Sequence, residues 1–267
     1  MRRDQASPLE RLKLRYIFIQ IIPVMLLLLL SAISGCQSAN DSSLNRDKTV
    51  AQHNELGIAL TKTGDFEQAI SEFNMALEID PENGDAYFNL GIIYKAMGQE
   101  EQAIEEYGNA IRLDPEYASA YYNRGNTYNH VGQMEKAIED YTDAIRIDPE
   151  FILAYYNRGL TYARMNQIND AIEDFTKTIS LSPDYALAYN QRGRAYNIVG
   201  QIDQAIDNYN QAIQIDPEYA EAYANRGIAN AMKGDTPESI KDLEKSLELS
   251  DDPVFRDKIK KVLDELK

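Results

Sequence analysis

Apolar and polar positions along residues 50–253 follow a pattern that returns every thirty-four residues. Within each period, apolar residues recur at intervals of three and four in two successive runs, which predicts two amphipathic helices. In the second period these helices, helix A and helix B, are predicted at about 85–97 and about 100–113. A proline follows helix B and ends it, because its ring removes the backbone donor that a helix needs. The recurring prolines are Pro81, Pro115, Pro149, Pro183 and Pro217.

Six windows align without gaps, and two glycine columns mark fixed points in each. The windows are 50–83, 84–117, 118–151, 152–185, 186–219 and 220–253. The fifteenth place is glycine except for Asn166, which predicts a left-handed residue where each helix A ends. The eighth place is always glycine, inside helix A. Because glycine is costly there, it predicts that two helix backbones approach closely, with the alanines of the twentieth place as the opposing surface.

A single helix pair cannot bury both of its faces, whereas stacked pairs share a continuous core. The sequence therefore predicts an all-α solenoid of six helix pairs. Residues 254–267 are predicted to form a closing helix, with Asp252 as its cap and Pro253 at its first position. Its predicted apolar stripe is Phe255, Ile259, Val262, Leu263 and Leu266. The basic residues predicted to face away from the stack are Arg256, Lys260, Lys261 and Lys267.

The second window carries residues that resemble the tetratricopeptide repeat. They are Tyr87, Leu90, Gly91, Tyr94, Ala103, Tyr107, Ala110 and Pro115. The resemblance covers residues 50–253 and implies a right-handed superhelix that binds proteins without catalysis. It does not imply which partner is bound, because one fold hosts many unrelated roles.

Three departures from the family pattern stand out. The first window has His53 in the aromatic place, and the last window loses the tyrosine, the two alanines and the proline, as terminal repeats often do. The seventh place holds arginine instead of leucine in four windows. We interpret these arginines as side chains whose stems cover apolar surface and whose heads pair with nearby acids. They are Arg124, Arg158, Arg192 and Arg226.

Residues 1–35 begin with a basic segment, continue as an apolar run and end in small residues, an order typical of a secretory signal. The segment Ile-Ser-Gly-Cys at 33–36 resembles the box of bacterial lipoproteins, and Cys36 is the only cysteine. That resemblance implies cleavage before Cys36, a lipid on its sulfur and acylation of the new N-terminus, which together anchor firmly. An uncleaved membrane anchor is the alternative, because the run is about long enough to span a bilayer. Residues 36–49 are polar and aperiodic, which predicts a flexible tether.

Acidic residues dominate the chain after the signal. From Cys36 onward there are 22 Lys and Arg against 41 Asp and Glu. This balance argues against nucleic acid as a partner, since a phosphate backbone requires a basic footprint. We interpret most of the carboxylates as the solvated outer face of helix B. Examples are Glu105, Glu106, Glu139, Asp140, Glu173 and Asp174.

The sequence shows no pattern typical of catalysis or metal binding. Histidine occurs only at 53 and 130, and Cys36 is assigned to the lipid, so no nucleophile–histidine pair is supported. Phosphate loops, dinucleotide fingerprints and zinc spacings are not present. We predict a protein that is not an enzyme, requires no cofactor or metal and takes no small-molecule substrate.

The resemblance to the repeat family implies a groove lined by the second, fifth, sixth, ninth, twelfth and thirteenth places of helix A. Amides recur at the sixth place and can bond to an extended peptide backbone, while aromatics at the fifth place are favoured interface anchors. Bonding between repeats, or duplication alone, is the alternative explanation of the amides. His130 is either an exposed helix residue or a pH sensor. The predicted groove residues are Asn89, Asn123, Asn157, Gln191, Asn225, Phe88, Tyr122, Tyr156 and Arg194.

These patterns predict a non-catalytic adaptor that binds protein or peptide partners in its groove. The lipid on Cys36 would anchor it to a bacterial cell membrane or outer membrane, with the repeats on the extracytoplasmic side. One alternative is a self-assembling component of an envelope or pilus assembly machine, and another is a regulatory subunit of an envelope protease or cell-wall enzyme. Chaperone C-termini are disfavoured as ligands, because Asn54 stands where domains that bind them carry lysine.

Overall fold

The computed structural model describes residues 49–267, which contain thirteen α-helices and no strand. The helices are α1 (Val50–Thr63), α2 (Phe66–Ile79), α3 (Gly84–Ala96), α4 (Glu100–Leu113), α5 (Ala118–His130), α6 (Met134–Ile147), α7 (Ile152–Arg164), α8 (Ile168–Leu181), α9 (Ala186–Ile198), α10 (Ile202–Ile215), α11 (Ala220–Lys233), α12 (Thr236–Leu249) and α13 (Pro253–Leu266). Odd numbers from α1 to α11 are A helices, and even numbers are B helices. The predicted solenoid of six helix pairs with a closing helix is confirmed.

A residue with left-handed backbone follows each helix A. It is glycine in five windows and Asn166 in the fourth. The glycines have φ between 72° and 90°, and Asn166 has φ 61°. Among the described residues, Asn166 is the only non-glycine residue with positive φ. These residues allow the chain to reverse and helix B to pack back along helix A. The glycines are Gly64, Gly98, Gly132, Gly200 and Gly234.

The eighth-place glycines accommodate a large side chain from helix B, which is an aromatic ring in the first five windows and Leu243 in the last. A Cβ atom on Gly91 would lie 2.6 Å from the ring of Tyr107, and one on Gly193 would lie 2.6 Å from that of Tyr209. The predicted lack of space for a side chain is therefore confirmed, but a ring and not a second helix backbone fills that space. The predicted opposing surface was wrong, because the side chain of the twenty-fourth place, and not the alanine column, occupies this space. A ring is long enough to reach the helix A backbone, and any Cβ there would collide with it.

The A helices line the inner side of the stack. Each B helix packs against its own A helix and against the next one along the chain. Successive A helices also contact one another, whereas no two successive B helices of residues 49–267 reach comparable contact. The A helices are thus more closely spaced than the B helices, so the stack curves toward the A side.

Arginines of the seventh place lie on the opposite, outer side and join neighbouring helices. Arg158 donates through Nε and Nη2 to both carboxylate oxygens of Asp174 at 2.8 Å. Its Nη1 donates to Thr142 on the preceding B helix at 2.8 Å. The guanidinium also lies over the rings of Tyr155 and Tyr162, at 5.7 and 5.8 Å. Arg158 therefore links its own helix pair to the preceding pair.

Of the other three arginines of the seventh place, only Arg226 repeats both the pairing with a carboxylate and the bond to the preceding B helix. Arg124 binds Asp140, and Arg226 binds both Asp242 and the preceding Asn210. Arg124 has Gly108 at the place where Arg158 meets a threonine, and a Cβ there would lie 3.6 Å from its Nη1. Arg192 has no carboxylate opposite it, because the corresponding residue is an asparagine.

Two of the carboxylates predicted to be solvated are buried. Asp140 and Asp174 are each 4% exposed, because they turn inward to the arginines of α5 and α7. The prediction was wrong for these two residues. It holds for Glu105, Glu139 and Glu173, which are exposed. The pairing of the arginines with acids, by contrast, was predicted correctly for Arg124, Arg158 and Arg226, and wrongly for Arg192.

The closing helix α13 packs its apolar stripe against the last repeat. Asp252 Oδ1 accepts from the backbone nitrogen of Val254 at 2.8 Å, as predicted for the cap. Ile259 and Leu263 are buried against Leu243 of α12. Arg256 does not face away as predicted. It donates to the carbonyls of Leu247 and Ser250, which the end of α12 leaves without helical partners.

Within residues 49–267, no helix combines the length and apolar character that a membrane crossing requires. The predicted signal segment at 1–35, the lipidation residue Cys36 and residues 36–48 of the predicted tether lie outside the described residues.

Candidate functional site

The inner side of the A helices forms a continuous surface, which we call the groove face. It consists of the side chains at the second, fifth, sixth, ninth, twelfth and thirteenth places of each window. These places lie on one side of a helix, because their spacing of three and four residues follows the helical turn. All of the predicted groove residues are on this face, distributed over α3, α5, α7, α9 and α11.

The sixth-place amides do not form one uniform ladder. Asn89 and Asn123 donate to backbone carbonyls one turn earlier in their own helices, those of Asp85 and Ser119, at 2.7 and 2.8 Å. Gln191 accepts from Nη1 of Arg194 at 2.9 Å. Asn89 and Asn123 therefore have local partners, whereas Gln191 also bonds to Tyr156 of the preceding helix A.

Two other amides join neighbouring A helices. Nδ2 of Asn157 donates to Tyr122 Oη at 3.0 Å and to Asn126 Oδ1 at 2.9 Å. Nδ2 of Asn225 donates to Asn190 Oδ1 at 2.9 Å. These bonds agree with the alternative in which the amides connect repeats. They fix the spacing of successive A helices and so hold the groove face in one shape.

The fifth-place aromatics each stack on an aromatic from the turn before the next helix A. Phe88 packs on Tyr117, Tyr122 on Phe151 and Tyr156 on Tyr185, with ring centroids 4.8 to 5.1 Å apart. The turn aromatics were not among the predicted groove residues. Their signal is visible in the sequence, because an aromatic closes four successive windows. These residues are Tyr117, Phe151, Tyr185 and Tyr219.

Large apolar side chains are exposed on the groove face of the later repeats. Leu153 and Leu187, at the second place, are 44% and 42% exposed. Ile198 and Met232, at the thirteenth place, are 61% and 59% exposed. Leucines therefore lie near the beginning of two A helices, and other apolar residues near the end of two. Apolar side chains left in water at both edges of a groove are typical of an interaction surface.

Cations of the groove face lack acidic partners. No carboxylate of residues 49–267 lies within 4.0 Å of Lys95, Arg164 or Arg194. Arg164 donates instead to Asn129 at 2.7 Å, which is a neutral acceptor. Burial lowers the pKa of Lys95, as expected for a cation without a nearby anion. His130 is exposed and lies 3.2 Å from Glu100, which agrees with its interpretation as an exposed helix residue.

Phenol groups collect beside Arg194. Burial raises the pKa of Tyr156 and of Tyr219 to about 12, while Arg194 acts in the opposite direction on both. Tyr219 Oη accepts from Nδ2 of Asn190 at 3.0 Å, and Tyr156 is hydrogen-bonded to Gln191. The phenols thus remain protonated at neutral pH and present hydroxyl groups close to a guanidinium.

Within the part of the chain that the structure describes, no group of three or more His, Cys, Asp or Glu side chains is placed to hold a metal ion. What the groove face offers is hydroxyl, amide and guanidinium hydrogen bonding between exposed apolar side chains. Such a surface suits an extended polypeptide.

Stacked helical hairpins that present this surface on their inner side define a helical-repeat scaffold for protein interactions. The chain matches family models described as TPR repeat over residues 57–98, 93–132 and 193–234. It also matches models described as tetratricopeptide repeat over 118–151, 152–185 and 175–207. The chain belongs to the tetratricopeptide repeat family. A search of curated protein sequences finds no significant match.

Solved structures of other repeat proteins are similar to this chain. One is MamA, with 32% identity over 62% of this chain and 96% of MamA, and a TM-score of 0.58. Another is YrrB, described as a TPR protein with an unusual peptide-binding site, with 25% identity over 71% of this chain and 97% of YrrB, and a TM-score of 0.62. A tetratricopeptide repeat protein from Parabacteroides merdae has 25% identity over 81% of this chain and 88% of its own, with a TM-score of 0.67.

Proposed function

We propose that this protein is a lipid-anchored adaptor that holds an extended segment of a partner protein against its groove face, on the extracytoplasmic side of a bacterial membrane. The observation that carries the binding role is the exposure of Leu153, Leu187 and Ile198 on the inner side of the stack, beside cations that lack acidic partners. The peptide-binding site described for YrrB supports a peptide ligand for this chain as well.

Rigidity of the groove face supports the same proposal. The bonds of Asn157 to the preceding helix and of Asn225 to Asn190 fix the A helices before any ligand arrives. A preformed surface loses little conformational entropy on binding, so more of the contact energy appears as affinity.

The anchor rests on the sequence of residues 1–36. The order of basic segment, apolar run and small residues before the only cysteine supports lipidation at Cys36. The surplus of acidic residues leaves membrane attachment to that segment, because anionic lipid repels an acidic surface. Two or three acyl chains would give stable attachment.

Affinity capture from membrane extract tests the binding role. The bait is the full-length chain with Leu153→Ser and Leu187→Ser, compared with the wild type. Both leucines are exposed and make no bond between repeats, so the fold should survive. We expect a partner retained by the wild type to be recovered at least about tenfold less with the double variant, since each leucine buried by a ligand contributes about 1.5 kcal/mol or more.

The matched control is Ile79→Ser. Ile79 is 53% exposed, at the end of α2 and outside the groove face. Recovery with this variant should equal that of the wild type. If the double variant also captures the wild-type set of partners in full, the groove face is not the binding surface.

Metabolic labelling with palmitate tests the anchor separately. Wild-type chain should incorporate the label, and Cys36→Ser should not. Full incorporation by the variant would remove Cys36 as the lipidated residue and leave the uncleaved anchor as the remaining interpretation.

A further inference from the structure

The central part of the groove face contains no acidic residue, in a chain with formal net charge −16. None of the groove places in windows 118–151, 152–185 and 186–219 holds Asp or Glu, whereas Arg164, Arg194 and His130 lie there. Acids on this face are confined to its ends, at Glu55, Asp85 and Glu221. The centre of the groove face is therefore free of negative side chains in an otherwise acidic molecule.

Arg194 is the cation best placed to meet a ligand. It is exposed, its Nη1 bonds the neutral Gln191, and no carboxylate of residues 49–267 lies within 4.0 Å of it. The outer arginines Arg158 and Arg226, in contrast, are saturated by bidentate carboxylates. A guanidinium has five N–H donors, so Arg194 keeps donors for a planar anion.

Tyr219 adds a hydroxyl donor near Arg194, because it contacts Asn190, which lies one helical turn before Arg194 on α9. Its Oη accepts from Asn190, so its own hydrogen is available for another acceptor. This phenol is protonated at neutral pH, and burial raises its pKa further, to about 12. A guanidinium with a phenol beside it forms a site for an acceptor-only group with two oxygens, which is the description of a carboxylate.

Apolar side chains flank Arg194 on both sides along α9. Leu187 precedes it by seven residues and Ile198 follows it by four, about 10 Å and about 6 Å along the helix axis. A ligand that covers all three must continue past the guanidinium in both directions. A chain terminus would cover only one side.

We infer that Arg194 and Tyr219 bind the side-chain carboxylate of an aspartate or glutamate within an extended partner segment, whose apolar neighbours cover Leu187 and Ile198. This rests on the proposed groove binding and specifies its ligand. The carboxylate belongs to an internal residue, and Arg164 on the adjacent helix adds longer-range attraction. A charge-assisted contact of this kind gives a preference of about tenfold over the neutral amide.

Two matched peptide libraries test the inference with the full-length chain in mild detergent. Both contain N-acetylated, C-amidated nonapeptides with randomised apolar residues around a fixed central residue, which is Glu in one library and Gln in the other. Wild type should bind the Glu library about tenfold more tightly, and added salt should reduce that difference. Arg194→Gln should bind both libraries equally, and Arg194→Lys should keep part of the preference.

Arg112→Gln is the control, because Arg112 is exposed on α4 outside the groove face, and the variant should behave as wild type. Equal wild-type binding to both libraries would overturn the carboxylate site and leave groove binding intact. Binding only by peptides with a free C-terminal acid would overturn the assignment to an internal side chain. If wild type binds neither library, the carboxylate site and the proposed groove binding both fail.

Discussion

Nε of Arg192 donates to Oδ1 of Asn208 over 2.8 Å, in the place where three other repeats pair arginine with aspartate. The consequence is electrostatic. Burial lowers the pKa of Arg192. Burial alone would also lower the pKa of Arg158, but its hydrogen bonds to Asp174 and the charge of that carboxylate raise it. The fifth repeat thus carries a half-buried cation without its counter-ion.

Asn208→Asp should therefore stabilise the protein. The new carboxylate would accept from both Nε and Nη2 of Arg192, and a charged pair is worth about 1 kcal/mol more than a neutral one. The midpoint of urea unfolding should rise. Asp174→Asn, which creates the fifth-repeat arrangement in the fourth repeat, should lower it. If the Asn208→Asp variant is no more stable than wild type, the desolvation of the new aspartate cancels the gain from the charged pair.

Tyr107 and Tyr141 should respond differently to removal of the hydroxyl group. Tyr141 Oη donates to Asn126 at 2.8 Å. Tyr107 Oη is buried and finds no partner among the described residues, because the place of Asn126 in its repeat is Ile92. Tyr107→Phe should be neutral or stabilising by about 1 kcal/mol, whereas Tyr141→Phe should destabilise by about 1 kcal/mol. Thermal unfolding of the two variants distinguishes them, and equal destabilisation would contradict the assignment.

Ser239 offers a stabilising substitution in the last repeat. It occupies the alanine column, is fully buried, and its Oγ has no hydrogen-bond partner in residues 49–267. Ser239→Ala should raise stability by about 1 kcal/mol, since it removes an unsatisfied hydroxyl and improves helix propensity. Ser246→Ala is the comparison, because Ser246 Oγ donates to the Leu243 carbonyl at 2.8 Å and should gain less. Equal gains in stability from the two variants would indicate that helix propensity alone is responsible.

Alkaline pH should unfold the repeats within a narrow range. Burial raises the pKa of Tyr156, Tyr185 and Tyr219 from 10.0 to about 12. Their ionisation is thus disfavoured in the folded state, so stability is complete below about pH 10 and is lost as pH rises toward 12. Tyrosinate absorbance and loss of helical circular dichroism should change together. Phenols that titrate near pH 10 with the helices intact would contradict this prediction.

The sequence predicted the repeat in detail because each column has a local cause. Left-handed Asn166 and the cap at Asp252 follow from backbone chemistry within a few residues. Asp140 and Glu139, by contrast, cannot be distinguished by type or periodicity, although one is buried and the other exposed. Asp140 is buried because it pairs with Arg124, sixteen positions earlier in the sequence, and only the packing of the helices brings the two residues together.

The hydrogen-bond partners of the groove-face amides could not be predicted from the sequence. Asn157 and Asn123 occupy equivalent places, yet one bonds to the preceding helix and the other to its own backbone. The difference arises across the interface between repeats, where Asn126 gives Asn157 an acceptor, whereas Ile92 occupies the equivalent place before Asn123. The stacking of Tyr122 on Phe151 also joins residues from different windows.

The interface between α4 and α5 lacks a side-chain acceptor that later interfaces between repeats have, because Gly108 occupies that place. Arg158, Arg192 and Arg226 each reach back to a threonine or asparagine on the preceding B helix, but Arg124 meets a glycine there. Of the interfaces between repeats that a seventh-place arginine spans, we expect the one between α4 and α5 to separate first under tension or in slow thermal opening. Residues 118–267 would then stay folded as a unit, and a partner held at Arg194 would not be released.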